Sequence, residues 1–164
     1  AGYSFTAAVT SHGRMVAFGL DDFGQCALPS LREGEEVLSV AAGYHHTAAI
    51  TSAGRLLTFG LDSYGQCTVP ELPEGEQVIT VSAGLGHTVA VTTSGCLLAF
   101  GKEDDGQCTM PVLQPGEQLL TVSAGGFHTA AITTSGRLLV FGKNEDGQCN
   151  VPEPHRRENV TAAA

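Results

Sequence analysis

The chain of 164 residues contains no tryptophan and few basic residues, eight Lys and Arg against 17 Asp and Glu. The resulting net charge of −9 argues against binding to a phosphate backbone, which requires a basic surface. No apolar run approaches the roughly 20 residues that a membrane-spanning helix needs. The N-terminus also lacks the basic and apolar segments of a signal peptide. We therefore expect neither nucleic-acid binding through a basic patch nor membrane insertion.

The five cysteines include no Cys-x-x-Cys pair. Four of them, Cys26, Cys67, Cys108 and Cys149, recur every 41 residues, so they occupy one place in four copies of a unit. Equivalent places in packed units lie roughly 10 Å or more apart, beyond the roughly 7 Å that a disulfide can bridge. We expect buried free thiols and a reducing compartment, cytoplasmic or alternatively nuclear.

The sequence divides without insertion or deletion into four repeats, residues 1–41, 42–82, 83–123 and 124–164. Each repeat contains Ala-Gly, Phe-Gly, Gly-Gln-Cys and a proline at fixed positions. In the second repeat, residues 47–51 and 55–59 flank a Ser-Ala-Gly turn, which predicts a β-hairpin. No segment has the 3.6-residue period of a helix. The pattern predicts an all-β chain with three or four short strands per repeat.

A unit of this size leaves sheet faces that only neighbouring units can cover. Radial packing of units about 40 to 50 residues long is typical of a β-propeller. We therefore predict a β-propeller of four 41-residue blades, in which the Phe of each Phe-Gly lies between blades. A linear β-solenoid is the less favoured alternative. The last predicted strand, residues 160–164, is the least apolar of its kind and is expected to be weak.

The repeat Ala-Gly-x-x-His-Thr, Thr-x-x-Gly-x-Leu and Phe-Gly-x-x-x-x-Gly-Gln resembles that of the regulator of chromosome condensation family. In the second copy the resemblance rests on Gly43, His46, Thr47, Gly54, Gly60, Gly65 and Gln66. The Cys-x-Val-Pro that follows is similar to the compact blades of propeller-type β-lactamase inhibitor proteins. The family resemblance implies a seven-bladed ring, of which four copies would form an arc cut from a longer chain. A closed four-bladed propeller is the alternative.

Strand order places the Ala-Gly loops and the Gly-Gln loops at the same end of each blade. All six aromatic residues other than the Phe of each Phe-Gly fall in these loops, and rigid aromatic side chains are typical interface anchors. The predicted partner-binding residues are Tyr3, Phe5, Phe23, Tyr44, His45, Tyr64, Leu85 and Phe127. The alternative is that the aromatic side chains of the Ala-Gly loops pack around the central channel.

Acidic residues are concentrated in loops, and those of the Gly-Gln loops could select a basic partner. Asp22, Asp62, Asp105 and Asp146 are the acidic candidates. The alternative is that these acids serve turn formation and solubility. Their spacing does not match a calcium-binding EF-hand.

Two further sets of repeated residues are predicted to be structural. His46, His87 and His128 are expected to hydrogen-bond backbone within their own blades, because equivalent residues on separate blades are too far apart to share a metal ion. Gly24, Gly65, Gly106 and Gly147 are expected to hold turns, and Gly65 to need a positive φ. We expect no metal or other cofactor.

The sequence contains no recognisable catalytic constellation, so we predict a non-enzymatic propeller that binds a protein. The resemblance implies three more specific alternatives. One is guanine-nucleotide exchange on a Ran-type small GTPase, which would require a wedge-like insertion that no repeat carries. Another is substrate recruitment within a HECT-type ubiquitin ligase. The third is inhibition of an enzyme, for which the sequence identifies no target pocket. The expected partner is a protein, either basic or a small GTPase.

Overall fold

The fold was determined from a computed structural model, which describes residues 1–152 and 159–163. Short β-strands of five or six residues account for all of its regular secondary structure, in agreement with the predicted all-β class. Within the described residues no helix is long and apolar enough to cross a membrane. In chain order the strands are β1 (Phe5–Val9), β2 (Met15–Gly19), β3 (Val37–Ala42), β4 (His46–Thr51), β5 (Leu56–Gly60), β6 (Val78–Ala83), β7 (His87–Thr92), β8 (Leu97–Gly101), β9 (Leu119–Ala124), β10 (His128–Thr133) and β11 (Leu138–Gly142).

The strands form four antiparallel sheets, one per blade. Blade 1 contains β1 and β2, blade 2 contains β3 to β5, blade 3 contains β6 to β8 and blade 4 contains β9 to β11. The strand that precedes each Ala-Gly pairs with the strand that follows it, for example Val40 with Ala49. Each sheet therefore straddles a boundary between the sequence repeats. Residues 66–69 form no strand, which leaves three strands in a full blade.

The hydrophobic core lies between blades, as the repeat predicts. Phe100 of blade 3 packs in one cluster with Ile50 and Leu56 of blade 2, and Phe141 of blade 4 packs with Val89 of blade 3. This arrangement arises because alternate side chains of a strand point to opposite faces of its sheet. The sheets of blades 2 and 3 each contribute to two interblade clusters, whereas those of blades 1 and 4 contribute to one. Phe59, Phe100 and Phe141 fill the spaces between neighbouring blades.

The four blades form an open arc. Phe59, Phe100 and Phe141 are no more than 8% exposed, whereas the equivalent Phe18 of blade 1 is 61% exposed. Among residues 1–152 and 159–163 no blade covers the face of blade 1 on which Phe18 lies, so the closed four-bladed alternative is not the observed arrangement.

The predicted last strand does not form within the described residues 159–163. Ala164 and residues 153–158 lie outside the described part. The backbone N–H of Val160 nevertheless donates to the carbonyl of Gly136 at 3.2 Å. Val78, the first residue of β6, makes the equivalent bond to Gly54 at 2.9 Å. Val160 therefore lies at the position where the first strand of a blade begins.

Candidate partner-binding face

The Ala-Gly and Gly-Gln loops lie at the same end of every blade and together form one face of the arc, which we call the loop face. Neighbouring Ala-Gly loops are joined by backbone hydrogen bonds, from Tyr44 N–H to the Gly84 carbonyl at 3.1 Å and from Leu85 N–H to the Gly126 carbonyl at 3.3 Å. The four loops surround an open cavity of about 300 Å³, and Tyr3, Tyr44 and Leu85 are among its lining residues. The loop face is therefore a continuous surface around a central depression.

Four of the predicted residues form one aromatic cluster on blades 1 and 2. The rings of Tyr3 and Tyr44 stack with their centroids 4.2 Å apart. His45 lies against Tyr44 at 4.3 Å in an edge-on arrangement and against Phe23 at 5.2 Å. Tyr3 and Phe23 remain 65% and 45% exposed. The cluster thus agrees with both hypotheses for the aromatic residues. Tyr3 and Tyr44 line the central depression, and they also present an aromatic surface to solvent.

A second cluster on blades 2 to 4 combines aromatic and cationic side chains. The ammonium group of Lys102 lies 5.3 Å from the ring centre of Tyr64 and 5.5 Å from that of Phe127. Lys143 lies 5.6 Å from the same Phe127 ring. These distances are within the range of cation–π attraction. Neither lysine was singled out from the sequence, although the pair at equivalent positions in the third and fourth repeats was a visible signal.

Phe5 does not belong to the exposed loop face. Its side chain is only 4% exposed, because it occupies the position that His46 holds in the next repeat. A side-chain carbon built on Gly2 would come within 2.3 Å of the Phe5 ring, so the ring packs directly against the Ala-Gly backbone. Phe5 is therefore a core residue, and its prediction as a partner-binding residue is wrong.

The acidic candidates differ in how their carboxylates are used. Asp62 accepts hydrogen bonds from the Cys67 backbone N–H at 2.7 Å and from the Thr68 hydroxyl at 3.0 Å, so both of its oxygens hold its own turn. Asp22, Asp105 and Asp146 are exposed, and within the described residues their carboxylates make no hydrogen bond or ion pair. Turn formation accounts for Asp62, while the other three are available to a partner.

The Gly-Gln loops have the same construction in every blade. Four glycines in these loops have φ between +77° and +81°: Gly24, Gly65, Gly106 and Gly147. Residues other than glycine rarely adopt this conformation. In each loop the glutamine carboxamide oxygen accepts the backbone N–H two residues earlier, as from Tyr64 to Gln66 at 2.8 Å. The turn therefore fixes the backbone of the residue two positions before the glutamine, which is Phe23, Tyr64, Asp105 or Asp146 in the four blades.

Two of the repeated histidines, His46 and His87, join neighbouring blades. His46 Nε2 lies 3.0 Å from the hydroxyl of Thr88 in the next blade, and His87 Nε2 lies 3.1 Å from that of Thr129. The expectation of a bond to backbone within the same blade is therefore wrong. The actual partner is the threonine of the next His-Thr motif, because packing of the two blades places its hydroxyl next to the imidazole.

Burial keeps His46 and His87 neutral. Desolvation lowers the pKa of His46 to about 4, with a smaller electrostatic contribution from the neighbouring His87. Desolvation likewise lowers the pKa of His87 to about 4, with a smaller electrostatic contribution from the neighbouring His128. Neutral imidazoles could in principle bind a metal, but among residues 1–152 and 159–163 no group of three or more His, Cys, Asp or Glu side chains is placed to hold one. His46 and His87 instead each make one bond between blades.

An open arc of blades with three antiparallel strands each, packed face to face around a central depression, defines part of a β-propeller. The model of the regulator of chromosome condensation (RCC1) repeat matches residues 1–25, 37–66, 78–107 and 121–148, more than half of the chain. The chain therefore belongs to the RCC1 repeat family. A search of curated protein sequences gives no significant match.

Solved structures show the same fold. Human WBSCR16 superposes with a TM-score of 0.76 at 22% identity, over 88% of this chain and 47% of that protein. Yeast RCC1 (Prp20), solved bound to Kap60, gives 0.74 at 20% identity, over 88% of this chain and 43% of that one. Prp20p from Saccharomyces cerevisiae, described with its binding to Gsp1p and histones, gives 0.75 at 18% identity, over 92% and 44%. The chain spans less than half the length of these relatives in structure.

Proposed function

We propose that this chain is a non-enzymatic protein-interaction propeller that binds its partner through the loop face. The observation that carries the proposal is the stacked pair Tyr3 and Tyr44, which lines the central depression. Phe23 and Tyr64, in the Gly-Gln loops of the same face, are also exposed. Aromatic side chains that are rigid before binding lose little conformational entropy when a partner covers them. They would supply the anchors of the interface.

The charge of the loop face supports a basic partner. Lys143 is paired with Glu145 at 2.8 Å, and Lys102 lies 3.5 Å from Asp104, so both cations are locally neutralised. The carboxylates of Asp22, Asp105 and Asp146 then leave the rim acidic. An acidic rim around aromatic anchors favours a partner that carries Lys or Arg around an apolar centre, because complementary charge steers association.

The experiment is a capture assay from cell extract, which compares the native chain with a Tyr44→Ala/Tyr64→Ala variant. A matched control is Leu38→Ala/Ile79→Ala. Leu38 and Ile79 are 61% and 54% exposed, and they lie near the ends of their strands that are farther from the loop face. Proteins held by the native chain and the control but lost from the tyrosine variant would support the loop face. Equal retention by all three would refute it.

Guanine-nucleotide exchange on a Ran-type GTPase is the second candidate. It is supported by the similarity in fold to Prp20p, a protein described with its binding to Gsp1p. Against it, the strands recur without an insertion on the loop face. Release of labelled GDP from a Ran-type GTPase separates the two, since acceleration by the native chain would favour exchange and an unchanged rate would remove it. The ubiquitin-ligase alternative has no supporting observation in these blades.

A further inference from the structure

The residue that follows Phe-Gly on the loop face differs between the two halves of the chain. It is lysine in blades 3 and 4, at Lys102 and Lys143. It is leucine in blades 1 and 2, at Leu20 and Leu61. We propose that the partner supplies the missing cation, as a lysine or arginine side chain that enters between blades 1 and 2. This inference rests on the proposed function of the loop face and specifies one group that the partner must present.

The boundary between blades 3 and 4 shows how the loop face holds a cation. The ring of Phe127 has two ammonium groups near it, that of Lys102 at 5.5 Å and that of Lys143 at 5.6 Å. Lys102 also lies 5.3 Å from the centre of the Tyr64 ring and 3.5 Å from the carboxylate of Asp104 in its own loop. Two aromatic rings and one acidic side chain therefore attract the Lys102 ammonium group.

The boundary between blades 1 and 2 has the same construction with leucine in place of lysine. His45 has the position of Phe127. Its carbonyl accepts the backbone N–H of Leu61 at 2.9 Å, the same bond that places Lys143 in blade 4. The ring of His45 lies 5.2 Å from the ring of Phe23. Leu61 therefore lies beside an aromatic pair, where the equivalent residue of blade 4 is a cation.

Asp22 supplies a carboxylate at this boundary. It has the position of Asp104, the side chain next to Lys102. Within residues 1–152 and 159–163 Asp22 forms no ion pair, and no lysine or arginine lies over the ring of Phe23. An acidic group and aromatic rings thus lie together here without a cation. The residues that we call the blade 1–2 site are Leu20, Asp22, Phe23, His45 and Leu61.

The exposure of the blade 1–2 site is a property of its loop rather than of its place in the arc. Phe23 is 45% exposed, and Tyr64, at the same position with a blade on either side, is 50% exposed. The side chain of Asp104, in a blade that also has two neighbours, is 78% exposed. Asp22 is likewise exposed. A cation from a partner can therefore reach both the aromatic ring and the carboxylate.

The blade 1–2 site fits a long cationic side chain. Leu20 and Leu61 are half-buried and present apolar surface on which the stem of a lysine or arginine packs. The charged head would lie over Phe23, within the range of cation–π attraction, and close to Asp22. An acidic side chain would be repelled by this carboxylate, and a short side chain could not reach the apolar and the acidic parts together.

Titration of the native chain with a single capped lysine tests the site directly. The probe is lysine with an acetyl group on its α-amine and an amide at its carboxyl end, and the capped norleucine of the same length is the neutral control. NMR signals of the ring protons of Phe23 and His45 report binding. We expect the lysine probe to shift both signals and the norleucine probe to have little effect. No shift, or equal shifts with both probes, would overturn the proposal.

Leu61→Lys supplies the cation from the chain itself, at a position that lysine already occupies in blades 3 and 4. The lysine probe should bind this variant at least about threefold more weakly, because a like charge then covers the aromatic rings. Leu38→Lys is the matched control, since it makes the same change in the same blade at a side chain that is 61% exposed and far from the loop face. Equal weakening in both variants would indicate an effect of net charge alone and would also overturn the proposal.

The reverse substitution, Lys102→Leu, should create a second site for the probe. It removes the cation that lies near the rings of Tyr64 and Phe127 and leaves Asp104 without its lysine. The lysine probe should then shift the ring signals of Tyr64, which it leaves unchanged in the native chain. If no new shift appears, absence of the lysine does not make a cation site, and the proposal fails.

The capture assay distinguishes this inference from the proposed function. Leu61→Lys should lose proteins that Leu38→Lys retains. If Leu61→Lys retains proteins that the Tyr44→Ala/Tyr64→Ala variant loses, the loop face binds a partner without a cation in the blade 1–2 site, and only the inference is wrong. If the lysine probe binds the blade 1–2 site but no substitution on the loop face changes capture, the site is correct and the proposed function is wrong.

Discussion

The imidazole Nε2 of His46 lies 3.0 Å from the hydroxyl of Thr88, across the boundary between blades 2 and 3. Thr88 has one hydroxyl proton, and its bond to the Gln66 carbonyl uses it. His46 must therefore donate its Nε2 proton to Thr88, which leaves Nδ1 unprotonated, buried and without a hydrogen-bond partner among the described residues. A single threonine thus fixes both the tautomer of a histidine and the position of a loop in the preceding blade.

Replacing Thr88 by valine should destabilise the chain with little change in volume. The substitution leaves the His46 N–H and the Gln66 carbonyl buried without partners, and each unsatisfied group costs about 1–3 kcal/mol. Denaturant unfolding measures the loss. Thr6→Val is the matched control, because no described residue bonds to the Thr6 hydroxyl, and it should leave the free energy of unfolding of the dilute chain nearly unchanged. Equal losses would contradict the role assigned to Thr88.

The repeat alone predicted the blades and their packing order, because a 41-residue period with glycine turns determines both hairpins and interblade faces. It also identified the loops of the candidate face. It did not predict the histidine partners, since a bond between His46 and Thr88 depends on the distance between blades rather than on local sequence. The burial of Phe5 was missed for a similar reason. Phe5 occupies the position that a buried histidine holds in the other repeats, and this position indicates its burial better than its aromatic character does.

Stability should fall between pH 7 and pH 5.5 through His46 and His87. Both histidines have a folded-state pKa of about 4, below the unfolded value of about 6.5. The unfolded state therefore binds protons first as the pH falls, at a cost of about 1 kcal/mol for each histidine over this range. Denaturant unfolding at several pH values measures the change, which should be smaller in His87→Gln. A flat profile would contradict neutral burial.

Acidic groups contribute to stability at lower pH. A hydrogen bond from Ser135 and others from Thr133 and the Gln114 backbone lower the pKa of Glu117 to about 2. Since the folded-state pKa is depressed, the contribution of Glu117 is complete above about pH 4.5 and is lost as the pH falls towards 2. Losses above pH 4.5 therefore belong to the histidines, and Glu117→Gln should change only the more acidic part of the profile.

Gly65→Val should cost about 1–3 kcal/mol through backbone strain. The φ of Gly65 is +81°, yet a side-chain carbon there would meet nothing within 4 Å, so strain acts without a clash. Gly126→Val is the control, because Gly126 is equally open but does not have a positive φ. Thermal unfolding compares the two. A similar melting temperature for both would refute the assignment of strain to the Gly-Gln turn.

One cysteine should react much faster than the others. Burial, with a smaller effect of Asp62, raises the pKa of Cys67 to about 12, and burial with Glu103 raises that of Cys108 to about 11. Their thiolate forms are scarce at pH 8, whereas Cys96 is exposed and open to attack. Titration with a thiol reagent should show a single fast group that disappears in Cys96→Ser. The four repeated cysteines are only partly exposed, and several fast groups would contradict their protection.

Cys96 also marks a missing ion pair. In blade 2 the equivalent Arg55 lies 2.6 Å from Glu35, and in blade 4 Arg137 lies 2.7 Å from Glu117. In blade 3 the equivalent Glu76 accepts bonds from Thr93 and Ser94 but has no arginine. Cys96→Arg should complete the pair and raise the melting temperature slightly. The gain should shrink in high salt, because partly exposed ion pairs are screened.

Cys96→Ser controls for loss of the thiol and should leave the melting temperature unchanged. A gain in Cys96→Arg that persists in high salt would show that packing of the arginine stem, rather than its charge, stabilises the loop. No gain would mean that Thr93 and Ser94 already satisfy the Glu76 carboxylate.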